Sequence, residues 1–168
     1  ESQISTKKET LPLKNPAFHT LGITTASIFL KGTCDLKRLE MFVASLLWED
    51  EKQQRKADLI AEFGENSSEA KSELEVYRIK GIFSVGCLEG SRGEEFYEGF
   101  TIDSRTGIIL SPKRFIVQGV GELFDISTGG ANLDWKVGEE REVKMVFIGK
   151  GVENWKEWLS VGLRSCLL

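Results

Sequence analysis

The spacing of apolar and polar positions predicts four strands and two helices. Two segments repeat apolar side chains every three or four residues, as amphipathic helices do: 36–48 and 155–166. Asp35 precedes the first of them and is suited to cap it. The strands are predicted in segments rich in β-branched and apolar residues without helical spacing: 22–31, 76–87, 114–120 and 142–148.

The order β-α-β-β-β-α predicts an α+β fold rather than an alternating α/β fold, because the elements are segregated along the chain. We expect a single domain. It contains a four-stranded, mixed or mostly antiparallel sheet with both helices packed on one face.

The second predicted strand alternates in a way that separates an apolar face from a basic one. Arg78 and Lys80 should project from the face opposite the helices, and Gln118 should lie near them if the second and third strands pair. The sequence therefore predicts a partner-binding surface at Arg78, Lys80 and Gln118. The side chains expected on the buried face are Tyr77, Ile79, Phe83 and Val85.

Three segments show neither the helical nor the strand periodicity of apolar residues. Residues 1–19 are polar, and we interpret them as a flexible linker in a chain that is a piece of a longer protein. Segments 50–75 and 88–113 are long connections with no predicted role. Within the second connection, residues 100–102 and 108–110 are predicted to pair as a small hairpin.

Composition restricts the class of partner. With 168 residues, 40% of them apolar, the chain can build a core without disulfide or metal cross-links. Its formal net charge of −4 argues against a nucleic-acid partner. No apolar run reaches the roughly 18 residues of a membrane span, and no signal-like stretch is present, so we expect a cytoplasmic protein with no membrane partner.

Candidate chemistry is sparse. The three cysteines, Cys34, Cys87 and Cys166, are far apart, and the single histidine, His19, lies in the predicted linker. Residues 149–151, Gly-Lys-Gly, lack the upstream glycine and the hydroxyl residue of a phosphate-binding loop. We therefore expect no catalytic, cofactor or metal site in this chain. Trp135 is the one tryptophan expected to be exposed.

Four sequence motifs follow one another along the chain: Leu39-Glu40 with Leu46–Glu49, Tyr77–Ile82, Val117–Asp125 and Val146–Lys150. Together and in this order they resemble the C-terminal domain of the CobW family of GTP-dependent metallochaperones. The resemblance extends over residues 20–168, with longer connections at 50–75 and 88–113. The motif Leu46-Leu47-Trp48-Glu49 is closer to eukaryotic members, which are implicated in zinc delivery.

The resemblance implies that nucleotide and metal binding belong to a different domain from this one. In the family, GTP with Mg²⁺ and the zinc-binding cysteine motif belong to an N-terminal GTPase domain, which this sequence does not contain. The chain is then a non-catalytic accessory domain that couples its own GTPase domain to metal transfer or to a client metalloprotein. The alternative is a free-standing protein–protein interaction module. Gly81 and Gly119, both inside strands, indicate close packing or a bulge.

Overall fold

The computed structural model describes residues 22–48, 74–88 and 101–168. The expectations for the linker 1–19, for His19 and for most of 50–75 and 88–100 fall outside these ranges. Within them the chain forms seven strands and two α-helices, with a 3₁₀ turn at Ala131–Leu133. The elements are β1 Ile23–Lys31, β2 Cys34–Asp35, α1 Leu36–Leu47, β3 Glu75–Leu88, β4 Thr101–Ile102, β5 Ile108–Val120, β6 Leu123–Thr128, β7 Glu142–Lys150 and α2 Lys156–Ser165.

The strands form one sheet in the order β1-β7-β3-β5-β4, and β6 pairs with the other half of β5. Every pair is antiparallel except that of the two-residue β2 with β3. Because β1 and β3 both run antiparallel to β7, they are parallel to each other with β7 between them. The predicted α+β class and the largely antiparallel sheet are confirmed.

The predicted number of four strands is wrong. β2 is two residues long, too short for any periodicity to show. β6 follows β5 after only two residues, Gly121 and Glu122, so that the apolar pattern does not separate the two strands. β4 is half of the predicted hairpin and pairs with β5 at Ile109 and Leu110, so that the hairpin also belongs to the main sheet.

Both helices pack on the same face of the sheet. The Asp35 side chain caps α1 by accepting a hydrogen bond from the backbone N–H of Arg38, at 2.9 Å. Sheet and helices share one apolar core. Its fully buried helix side chains include Leu39, Val43, Leu46, Leu47, Leu159 and Leu163, and its strand side chains include Ala26, Ile28, Ile79, Phe83, Phe115, Val117, Met145 and Phe147.

Two strand glycines allow this core to pack closely, as their positions in the sequence indicated. A Cβ at Gly119 would lie 2.8 Å from Cδ1 of Leu47 on α1. A Cβ at Gly81 would lie 2.1 Å from Sδ of Met145 on the neighbouring strand. Both positions therefore require glycine for lack of space rather than for an unusual backbone conformation.

Tyr77 corrects the predicted alternation of β3. The pairing of β3 with β7 shifts register between Val76 and Arg78, which leaves Tyr77 as the extra residue of a β-bulge. Its side chain is 40% exposed, so the expectation that it lies in the core is wrong. From Ile79 to Phe83 the alternation holds, whereas from Phe83 to Gly86 consecutive residues are buried, where the pairing of β3 with β5 shifts register.

Neighbouring residues of β3 should differ sharply in their contribution to stability. Phe83 is fully buried, with its ring 5.9 Å from that of Phe115, whereas Ile82 on the opposite face is 39% exposed. Phe83→Ala should lower the free energy of unfolding by about 3–5 kcal/mol because it leaves a cavity. Ile82→Ala should cost less than about 1.5 kcal/mol. Urea unfolding of both variants measures the difference, and equal losses would contradict this assignment of the faces.

Candidate docking surface

In the described part of the chain, no helix covers the face of the sheet opposite α1 and α2. We call it the open face. It consists of the outward side chains of five strands, and the strand register places them in transverse rows. The three central rows are Thr25–Ile148–Arg78–Val120–Leu123, Ser27–Val146–Lys80–Gln118–Asp125 and Phe29–Lys144–Ile82–Ile116–Ser127.

The three residues predicted as a partner surface lie together at the centre of the open face. Lys80 is directly opposite Gln118 on β5, and Arg78 is two residues away on the same face of β3. All three are exposed. Within the described ranges neither Arg78 nor Lys80 forms an ion pair, so that both charges are available to a partner. Their role in docking remains a proposal.

Apolar side chains surround this basic centre. Val120 is 63% exposed, Leu123 81% and Phe29 66%. The side chains of Val146, Ile148 and Ile116 lie between them and are half-buried. Exposed apolar surface beside fixed charges is typical of interaction sites, because its burial supplies affinity while the charges supply orientation.

One end of the open face is closed by the segment before β7. Trp135 lies there against two guanidinium groups, with its ring centre 4.1 Å from Cζ of Arg114 and 5.0 Å from Cζ of Arg141. Trp135 is only 7% exposed, so its predicted exposure is wrong. Arg114 also pairs with Glu139, and burial lowers the pKa of Arg141, with the nearby charge of Arg114 lowering it further. Only tertiary contacts, which spacing does not reveal, bring these residues together.

The described residues do not fit a bound nucleotide or a zinc ion. No group of three or more His, Cys, Asp or Glu side chains in these ranges could hold a metal ion. Gly149 and Lys150 end an ordinary strand, and Nζ of Lys150 lies 3.9 Å from Oε1 of Glu75 rather than in a loop before a helix.

The cysteines differ in accessibility. Cys34 and Cys166 are buried, and burial raises the pKa of the first to about 12 and of the second to about 11. Cys87 is half-buried near the end of β3. Because the thiolate is the reactive form, Cys34 and Cys166 should be nearly inert at pH 8.

Alkylation with iodoacetamide at pH 8 tests this order. The folded chain should take one label rapidly, at Cys87, and the urea-unfolded chain should take three. Mass spectrometry of the digested protein identifies the labelled cysteine. Labelling of Cys34 or Cys166 at the rate of Cys87 in the folded chain would show that the described core around them opens.

Neither helix in the described part of the chain is long and apolar enough to cross a membrane.

Residues 108–167 match the family model described as the cobalamin synthesis protein cobW C-terminal domain. Over these residues the chain is similar to a CobW C-terminal domain, which confirms for this part of the chain the resemblance inferred from its motifs. The match runs from the start of β5 through α2, and it includes Gln118 but neither Arg78 nor Lys80.

Two solved structures are similar to this chain. One is the Zn(II)-bound YjiA GTPase from E. coli, with 15% sequence identity and a TM-score of 0.46, covering 88% of this chain and 30% of that one. The other is a Zn(II)-bound triple mutant of the YjiA GTPase, with 16% identity and a TM-score of 0.47, covering 91% of this chain and 34% of that one. The chain thus spans about a third of the length of these structures.

Proposed function

We propose that this chain is the non-catalytic C-terminal accessory domain of a CobW-like GTP-dependent metal chaperone. The observation that carries the proposal is the match of residues 108–167 to a domain described as C-terminal in its family. In this proposal the GTP, Mg²⁺ and metal sites belong to a GTPase domain joined to the chain. The chain itself contributes binding surface and no chemistry.

Zinc is the metal we propose, and the cytoplasm the compartment. The support for zinc is the motif Leu46-Leu47-Trp48-Glu49, which resembles eukaryotic zinc-delivering members. Trp48 ends α1, and its indole Nε1 donates a hydrogen bond to the carbonyl oxygen of Glu122 at 3.1 Å. This contact ties the motif to the β5–β6 turn, so that the motif also has a structural role.

The open face is the proposed contact with the GTPase domain. Burial of Val120, Leu123 and Ile82 would supply apolar contact, while Arg78 and Lys80 would pair with acidic side chains of the partner. A nucleotide-dependent change in the GTPase domain would alter its affinity for this face. When the GTPase domain dissociates from the face, a client metalloprotein could bind there.

A free-standing interaction module is the alternative, and it would use the same open face. The two functions predict different coding sequences upstream of Glu1. An upstream frame with a Gly-x-x-x-x-Gly-Lys-Ser/Thr motif supports the accessory domain, because that motif cradles the phosphates of a nucleotide. An in-frame stop codon directly upstream supports the module.

Arg78→Ala/Lys80→Ala in the protein that contains the GTPase domain tests the proposed surface. The melting temperature should stay within about 2 °C, since exposed charges contribute about 0–1 kcal/mol to stability. GTP-dependent metal transfer to a client should fall by about tenfold, because interface charges that lose their partners typically cost 1 kcal/mol or more. Fluorescence-monitored zinc transfer measures this effect.

The matched control is Lys37→Ala/Arg105→Ala, which removes the same two charges from exposed positions on α1 and on the β4–β5 turn. This control should transfer metal normally. Unchanged transfer by the Arg78/Lys80 variant would dismiss the surface. A large fall in its melting temperature would show that the two side chains are structural.

A further inference from the structure

β1 is an edge strand whose outer backbone groups are unpaired within the described chain. It pairs only with β7, in continuous register from Ile23 to Lys31. The N–H of Gly32 points toward β7, since it donates to the carbonyl oxygen of Arg141 at 2.9 Å. Alternation along an antiparallel strand then directs the N–H and C=O groups of Thr25, Ser27 and Phe29 away from β7, to the free edge.

Within the part of the chain that the structure describes, residues 23–30 of β1 have none of three features that usually prevent strand addition: charged residues, proline or a bulge. Natural edge strands are generally protected by one of these features. An unprotected edge of this length is therefore a template for another strand.

A groove of about 450 Å³ runs along this edge. One wall consists of four consecutive β1 residues, Ser27 to Leu30, so that the groove follows the strand rather than crossing it. The other wall is α2, through Glu157, Ser160 and Arg164, which lie on one side of the helix at spacings of three and four residues. PDZ and PTB domains likewise bind an extended peptide by adding it as a strand to an exposed sheet edge.

The charges of the groove are arranged along its length. The backbone N–H of Glu153 contacts Oγ1 of Thr24 at 3.4 Å, and the backbone N–H of Asp35 donates to the carbonyl oxygen of Cys166 at 2.9 Å. α2 therefore runs in the same direction as β1. Glu153 and Glu157 lie at the groove end near the start of β1, and Arg164 lies at the other end.

These charges are available for recognition. None of Glu153, Glu157 and Arg164 forms an ion pair within the ranges that the structure describes, although Lys156 also lines the acidic end. A bound segment with a negative charge at one end and a positive charge at the other would complement them. The groove thus has a preferred direction for its occupant.

We propose that this groove binds an extended peptide segment of a partner protein, added to β1 as an antiparallel strand. The N-terminal end of the segment carries an acidic residue that meets Arg164, and its C-terminal end carries a basic residue that meets Glu153 and Glu157. Antiparallel addition continues the pattern of every long strand pair in the sheet. The groove shares Ser27 and Phe29 with the border of the open face, but binding in it does not require a GTPase domain.

A peptide suits the groove better than a second copy of the chain does. The β1 edge of a second copy would be flanked by its own α2. In such a dimer the two α2 helices would meet over the joined edge. A single extended peptide has no helix and avoids this contact. Side chains of that segment would alternate between the α2 wall and exposed Phe29.

Two peptides of identical composition test the direction of binding. The probes are acetyl-ETVTVTK-amide and its charge-reversed partner acetyl-KTVTVTE-amide, each titrated into the 168-residue chain with NMR detection. The first should bind about fivefold more tightly, since its two end pairs are exposed and each contributes up to about 1 kcal/mol. The charge-swapped variant Glu157→Arg/Arg164→Glu should prefer the reversed peptide.

A backbone variant tests the mode of binding. Ser27→Pro removes an outward N–H and should weaken both peptides at least tenfold, while Ser27→Ala keeps the N–H and should bind like the original chain. If Ser27→Pro does not fold, the peptide preference of Glu157→Arg/Arg164→Glu tests the proposal instead. Equal affinity for the two peptides in both the original and the swapped chain would overturn the proposal. So would no saturable binding at millimolar peptide, or a dimer through β1 that the peptide does not displace.

Discussion

Apolar packing on one side of the sheet is the constraint on which the rest of this structure depends. α1 and α2 together bury the inward side chains of all the long strands, and no described helix covers the other side. The approach is so close that Gly119 has no room for a Cβ beside Leu47. Because stability is concentrated on this face, the open face is free to carry charge and exposed apolar surface at little cost to folding.

The two proposed binding surfaces follow from the same arrangement. The open face presents Arg78, Lys80 and Gln118 on strands held rigidly by the covered core, which fixes their spacing. The placement of α2 beside β1 creates the groove at the edge, since the helix overlooks a strand with one unpaired side. The open face would bind a folded partner, and the groove would bind an extended segment.

The local periodicity of apolar residues predicted the helices and the long strands. Helices α1 and α2 and the four long strands were predicted within a few residues, apart from β5, which begins six residues before the predicted strand. The failures at Tyr77 and Trp135 have tertiary causes: a bulge against β7 exposes the first, and Arg114 in β5 and Arg141 before β7 pack against the second. The positions of Arg78 and Lys80 followed from alternation, whereas the β1–α2 groove joins segments too distant in sequence for any pattern to connect.

Lysine footprinting tests the docking of the open face most directly. Lys80 and Lys144 lie on that face, whereas Lys37 lies on α1 and Lys156 on α2, and all four are exposed in the chain described here. Acetylation rates would be compared by mass spectrometry between the 168-residue chain and the same chain joined to the proposed GTPase domain. Docking predicts several-fold slower acetylation of Lys80 and Lys144 in the joined protein, with Lys37 and Lys156 unchanged. Equal rates at all four lysines in the two proteins would contradict it.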